Sequence, residues 1–428
     1  MPNVDEPTAT NNTSPASTDN DPAAAAPASR TIALLALPVI ALYGVMQTMN
    51  QVLVPSLVAN IDPNGKVADI ANISLIAGIM GTIFIIVGPA ISDRTRSRFG
   101  RRSPYLAALS TLICITLLLI GTSSSIVIVI ALMGVFGACT NWYSGCIYAV
   151  LPDRIPENKR GIASSVLGLG LPLGILVFVN LTSRVPQLAG YIIIGSSMII
   201  ATAIFILGSP EPSSVNMPHP EAKRRRPFSL QFFEAFRHWN FTMTFLSRFA
   251  FYLGFFAVSS YTMYILTDYI GLDAIPDDSA AVAVATLSTI STIVQVAAVL
   301  TCGTIADRFN LTKTIVGIAG FAMVAAYACP LIMPTWTGMI AFNVIAGAAG
   351  GVYFSVDAAL MSRVLPCPGQ EGRDMGILNA ASSVTAMFAA LIGSLLIGAF
   401  SGYSALFIMG ALLAALCGIC TFAIRGIR

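Results

Sequence analysis

The chain has 428 residues, of which 56% are hydrophobic and only 10% charged, with a mean hydropathy of +0.79, against roughly 25% charged residues in an ordinary soluble domain. That balance excludes a soluble protein and points to one that crosses the bilayer many times. The net charge of +3 implies no nucleic-acid partner, because the basic residues sit in short loops between apolar runs and not on one soluble face.

Residues 1–29 are rich in Pro, Ala, Ser, Thr, Asn and Asp and carry neither an apolar core nor a basic start. They are expected to form a disordered cytoplasmic tail, not a signal peptide. Twelve apolar runs follow, each long enough to cross ~30 Å of hydrocarbon. The first six (31–59, 70–91, 105–122, 126–151, 162–184 and 188–208) predict an N-terminal six-helix half over 30–208. The second six (239–267, 280–302, 314–333, 336–365, 375–400 and 403–424) predict a C-terminal half over 239–428. Between the halves, 209–238 reads as a cytoplasmic linker carrying Lys223, Arg224, Arg225 and Arg226, with Ser229 to Trp239 as a short amphipathic helix on the inner leaflet.

Orientation follows from the loop Ser92 to Pro104, SDRTRSRFGRRSP, with its five arginines Arg94, Arg96, Arg98, Arg101 and Arg102. Each would cost roughly 2.5–3.5 kcal/mol at the centre of a membrane helix, so this loop stays on the cytoplasmic side. With the N-terminus inside, 20 of the 23 Lys and Arg fall on that side; only Lys66 and Arg184 fall outside, and Arg248 lies within a run. The expected location is the plasma membrane, multi-pass, with both termini cytoplasmic.

The eight cysteines are scattered, most of them inside apolar runs. Cys417 and Cys420 form a CxxC without metal-binding or redox partners nearby, so they read as core residues. His219 and His238 both fall in the linker, and no phosphate-binding loop or Ser-His-Asp arrangement can be assembled. The chain is therefore expected to be no enzyme and to need neither cofactor nor metal.

The halves repeat. Asp93-Arg94 closes the second run and Asp307-Arg308 the eighth; Leu151-Pro152 closes the fourth and Leu365-Pro366 the tenth. Both pairs stand half the chain length apart, the mark of a parallel internal duplication.

With these landmarks the sequence resembles the major facilitator superfamily over nearly its whole length. That family's loop signature, Asp-Arg followed by Gly-Arg-Arg, is matched by Asp93-Arg94 and Gly100-Arg101-Arg102, with Pro89 in place of the leading Gly and extra residues before Gly100. The longer form is similar to the loop of glycoside-pentoside-hexuronide and sucrose carriers. The second and fourth runs lack the acidic residues that sodium-coupled members of that group use. GLGLPLG (Gly168 to Gly174) is a partial match to the fifth-helix element of drug-proton antiporters.

The resemblance implies an all-α membrane fold of twelve helices and a gate in the basic loop. Asp93 would dock near Asp374 and Met375 at the start of helix eleven, and Arg94 would pair with Asp153. Asp307 would dock near Arg160-Gly161, and Arg101, Arg102, Arg308 and Arg373 belong to the same gating set. It also implies a central cavity lined by helices one, four, seven and ten. Their polar stripes offer Tyr43, Gln47, Asn50 and Gln51; Asn141, Trp142 and Tyr148; Arg248 and Tyr252; and Asn343 as substrate-binding residues. Amides and hydroxyls among aromatic rings suit a polyhydroxylated solute. Gly347, Gly350 and Gly351 suit close helix packing.

Asp357 is the one acidic residue deep in a run and Arg248 the one deep basic residue. An intramembrane charge is costly and marks function, so the two are expected to form the proton-coupling unit. The resulting expectation is a monomeric secondary transporter whose partners are a small-molecule substrate, protons and the lipid bilayer, taking up a sugar or glycoside by proton symport. Proton-antiport efflux of drugs or metabolites, and a substrate sensor on a carrier fold, are the alternatives.

Overall fold

The computed structural model describes residues 27–215, 235–309, 312–365 and 371–425. The expected disordered tail through residue 26, the basic run Lys223 to Arg226 and the amphipathic stretch through residue 234 lie outside them.

Twelve helical spans are long and apolar enough to cross a membrane: α1 (Ala28–Ile61), α2 (Lys66–Arg94), α3 (Ser103–Gly121), α4 (Ile126–Arg154), α5 (Glu157–Thr182), α6 (Gln187–Gly208), α7 (Trp239–Ser260), α8 (Ala280–Thr301), α9 (Lys313–Ile332), α10 (Trp336–Arg363), α11 (Asp374–Phe400) and α12 (Ser404–Phe422). No strand occurs among the described residues. Hydrocarbon offers no hydrogen bonds, so a chain this apolar must satisfy its backbone within each span, and helices do so. Connections have local causes. Asp62 Oδ1 accepts from the N–H groups of Asn64 (3.1 Å) and Gly65 (2.9 Å), which closes the α1–α2 turn. Pro104 occupies the first turn of α3, where a missing N–H costs nothing. Thr335 caps α10 by accepting from Gly338 N–H. Around the outside, Ile86, Leu119, Ile192, Leu300 and Leu412 are exposed, an apolar belt that acyl chains would cover.

Within the first six spans α2 runs along α4, and within the last six α8 runs along α10. Both pairs depend on backbone meeting backbone at a glycine. A Cβ on Gly137 of α4 would stand 2.4 Å from Ala77 O in α2, and one on Gly351 of α10 would stand 2.5 Å from Gln295 O in α8. These two glycines are half a chain length apart, so the repeat visible in the loop motifs extends to helix contacts.

The two sets of six meet chiefly through α2 against α11 and α5 against α8. Five hydrogen bonds between the sets lie toward the end remote from the arginine-rich loop. Lys66 binds Asp268, Tyr261 and Tyr264 donate to Val67 O and Pro55 O, Ser288 donates to Gln51, and Asn180 donates to Thr289. The sets are therefore joined at that far end, and the central cavity borders the junction.

Candidate functional site: a charge-free cavity between two ionic ends

The cavity has two lobes of roughly 450 and 440 Å³ that share Gln51, Phe256 and Ser259, each within the ~300–1,000 Å³ usual for small-molecule sites. The first adds Asn50, Ser74, Thr82 and Asn141 among small and sulfur-bearing side chains. The second sets Gln47, Ser288, Ser291, Thr292, Gln295 and Asn343 between aromatic walls that include Tyr252, Phe342 and Phe354. Among the described residues, no Asp, Glu, Lys, Arg or His lines either lobe. The side chains of Gln47, Asn50 and Gln295 make no hydrogen bond to another described residue, so their amides are open to a ligand.

Of the residues expected to bind substrate, Gln47, Asn50, Gln51, Asn141, Tyr252 and Asn343 line the lobes. Four others do not. Tyr43 and Tyr148 hydrogen-bond to each other at 2.6 Å, tying α1 to α4 outside both lobes. Trp142 packs between Phe84 and Tyr105, with ring centroids 5.8 and 5.4 Å away, and covers Gly88 of α2. Asn141 and Trp142 are neighbours in sequence and so point about 100° apart around the helix; here Asn141 faces the cavity and Trp142 turns to α2 and α3. The fourth is Arg248. Its side chain is 3% exposed, and its guanidinium lies 5.4 Å from the ring centre of Tyr252, which itself forms part of the wall. The polar face of α8 escaped the sequence reading, although Ser288, Ser291, Thr292 and Gln295 recur at i, i+3, i+4 and i+7 and so make one stripe.

Behind Tyr252 sits the buried ion pair. Arg248 Nη1 donates to Asp357 Oδ2, joining α7 to α10, and the two residues are 2% and 5% exposed. Arg248 Nε donates to Leu378 O at 3.1 Å and Nη2 to Asn379 Oδ1 at 3.4 Å, so α11 completes its coordination. Asn379, in the second turn of α11, was not foreseen. Phe251 and Tyr353 stack face to face beside the pair and help exclude water. In such surroundings the arginine fork meets its requirement for directed acceptors, and the carboxylate its requirement for a counter-charge.

At the arginine-rich end the ionic network differs from the expected one. Arg94, the last residue of α2, is exposed and does not reach Asp153. The partners of Asp153 are Arg101 Nη2 and Arg102 Nε, each at 2.6 Å, and Arg102 Nη2 also holds Asp93 at 2.9 Å. The loop turns back at Gly100, whose φ of +89° favours glycine, and so carries Arg101 and Arg102 between the ends of α2 and α4. Asp93 therefore bonds within its own set of six and not to Asp374 or Met375, as expected from the joining of the sets at the other end. The side chains of Asp307, Arg308 and Arg373 lie outside the described residues. Glu211, just past α6, was not predicted. Its Oε2 accepts from Arg102 N (3.0 Å), Ser103 N (2.9 Å) and Ser103 Oγ (3.0 Å), capping α3 from the segment after α6. A Cβ on Gly100 would collide with this carboxylate at 2.3 Å, a second reason for glycine there.

The far end has its own ionic contact. Lys66 Nζ lies 2.8 and 2.7 Å from the two oxygens of Asp268 and 5.0 Å from the ring centre of Tyr264, while Tyr403 and Thr267 donate to the same carboxylate at 2.7 and 2.8 Å. Burial pushes the Asp268 carboxyl up, but the hydrogen bonds from Lys66, Tyr403 and Thr267 outweigh it and hold the group below the ordinary value.

Comparison with known proteins bears on family and fold. The family described as Major Facilitator Superfamily matches residues 23–286 and 274–427. Among solved structures, a bacterial homolog to the human lysosomal transporter Spinster, in an inward-facing and occupied conformation, is 14% identical with a TM-score of 0.64, covering 93% of this chain and 97% of that one. The nucleoside transporter NupG is 13% identical with a TM-score of 0.71, covering 93% of this chain and 100% of that one. At such identities these likenesses speak to fold alone. A search of curated protein sequences gave no significant match.

Proposed function

Because this chain belongs to the Major Facilitator Superfamily, and is thus a multi-pass membrane transporter and not an enzyme, we propose that it carries an uncharged, hydroxyl-rich solute, a sugar or glycoside, inward with protons by alternating access. The observation that carries this reading is the lining of the cavity: open amides and hydroxyls, aromatic walls, and no Asp, Glu, Lys, Arg or His among the described residues. A charged solute would lose its hydration there without gaining a counter-charge. A polyol instead finds donors and acceptors for its hydroxyls and ring faces for its C–H surface.

The buried Arg248–Asp357 pair supports proton coupling. It is held apart from solvent yet only one side chain, Tyr252, from the cavity wall. Movement of Tyr252 by bound solute would disturb the pair and let Asp357 exchange a proton. The positive-inside rule puts the arginine-rich end in the cytoplasm, so the far-end junction is the outer closure of an inward-facing state in the plasma membrane. The Asp93–Arg102–Asp153 cluster then belongs to the inner gate.

Counterflow in proteoliposomes tests the reading, with methyl glucoside, sucrose, xylose, uridine and a cationic drug as separate arms. Counterflow with a sugar or glycoside, and its accumulation when the outside is made acidic, is the expected result. Counterflow with the cation alone would overturn it in favour of efflux, and counterflow with uridine alone would retain the neutral solute but reject the sugar.

A further inference from the structure

Two side-chain hydrogen bonds join the sets of six from neighbouring residues of α8. Ser288 Oγ donates to Gln51 Oε1 at 2.5 Å, and Asn180 Nδ2 donates to Thr289 Oγ1 at 2.7 Å. They differ in their access to the cavity. Gln51 lines both lobes and Ser288 lines the second, whereas Asn180 and Thr289 line neither. The amide nitrogen of Gln51 has no partner among the described residues. Each amide also sits at a π-helical turn, Gln51 within Met49–Leu53 and Asn180 directly after Ile175–Val179. Such turns interrupt the regular backbone ladder and recur where helices bind or bend.

Resting on the transport reading above for the chemistry of the solute, we propose that Gln51 is the residue through which bound solute loosens the far-end junction. A solute hydroxyl is the same kind of donor as Ser288 Oγ–H and can replace it on Gln51 Oε1, while Gln51 Nε2 donates to a solute oxygen. The freed Ser288 hydroxyl can turn to the carbonyl four residues back, as Thr286 does to Val282 O at 2.9 Å. The exchange therefore leaves no buried polar group unmet. Asn180–Thr289 is out of the solute's reach and persists, so α1 lets go of α8 before α5 does. Solute then bonds Gln51 more fully when the tie is broken than when it is made, and that difference in affinity is what a ligand needs to shift a conformational equilibrium.

Unnatural fluorophore residues placed at Asn64 and Asp273, both exposed at the far end on opposite sets, report the separation of the sets in lipid nanodiscs. Without solute, Ser288→Ala and Thr289→Val are each expected to raise the parted-to-joined ratio about fivefold, the worth of one net hydrogen bond. Methyl glucoside, sucrose and uridine are then added in turn, with binding followed by calorimetry. A probe that binds is expected to raise the ratio further in the wild type and in Thr289→Val but not in Ser288→Ala, and Ser288→Thr, which keeps the hydroxyl, is expected to restore the response. An equal probe-induced shift in Ser288→Ala and the wild type overturns the role of Gln51. So does an unchanged ratio in solute-free Ser288→Ala, which needs no solute and separates failure of the tie from failure of the transport reading. If none of the probes binds, the solute reading falls and the role of Gln51 in sensing it falls with it.

Discussion

At the scale of single residues, the most consequential contact is Arg248 with Asp357. Two opposite charges ~4 Å apart attract by about 4 kcal/mol at an effective dielectric of 20, comparable to the roughly 3–5 kcal/mol lost when one member of a buried pair is removed. Arg248→Gln alone is thus expected to lower stability by roughly that amount, because it leaves a buried carboxylate unpaired. Adding Asp357→Asn should restore most of it, as thermal unfolding in detergent will show. Asp357→Asn by itself should abolish accumulation against a gradient yet leave downhill exchange. If the double variant still concentrated solute with the pH gradient, the pair would be structural and coupling would lie elsewhere. Other residues show how neighbours in sequence divide their duties: Asn141 enters the cavity while Trp142 seals α4 against α2 and α3.

Between elements, the far-end junction combines hydrogen bonds with one ion pair, Lys66–Asp268, which fastens the start of α2 to the segment after α7. Its pH dependence has a definite sign. Asp268 has its folded-state pKa depressed, so its contribution is present above the unfolded value of about 3.9 and lost as pH falls through the folded one. The separation between Asn64 and Asp273 in solute-free protein should therefore not change between about pH 8 and pH 5, whereas Asp268→Asn should widen it throughout that range. A wild-type junction that parted on mild acidification would show that a group other than Asp268 controls it. At the opposite end, Glu211 binds the first turn of α3 and Arg102 bridges the ends of α2 and α4, so these contacts tie the basic loop to its own six spans.

For the whole molecule, five hydrogen bonds join the two sets of six toward one end, and the cavity they enclose carries no charge among its described residues. Orientation is the property that links this shape to transport. Reporters fused after Arg102, Arg226 and Arg428 should all appear cytoplasmic, and one inserted at Asp277 should appear outside. One inverted result among the four would break the twelve-span topology, whereas inversion of all four would reverse the direction in which the cavity faces and with it the reading of the far-end junction as the outer closure.

Twelve spans, a half-chain repeat and the depth of Arg248 and Asp357 were legible in the residues alone. Hydrophobic length and the cost of burying charge are local properties of a chain in a bilayer. The cavity-lining amides of Gln47, Asn50 and Gln51 were legible too, because helical spacing sets which residues of one helix share a face. Other features depended on which helix faces which, and at what rotation. The sequence carried the stripe on α8 but no sign that it met α1. Glu211 lies more than a hundred residues from the helix it caps, and Asp153 took its partners from the far side of a turn that only the positive φ of Gly100 allows. The joining of the two sets at one end is likewise a tertiary fact: it depends on contacts such as Lys66–Asp268 and Gln51–Ser288, whose partners are separated by about half the chain and are brought together only when the two sets pack.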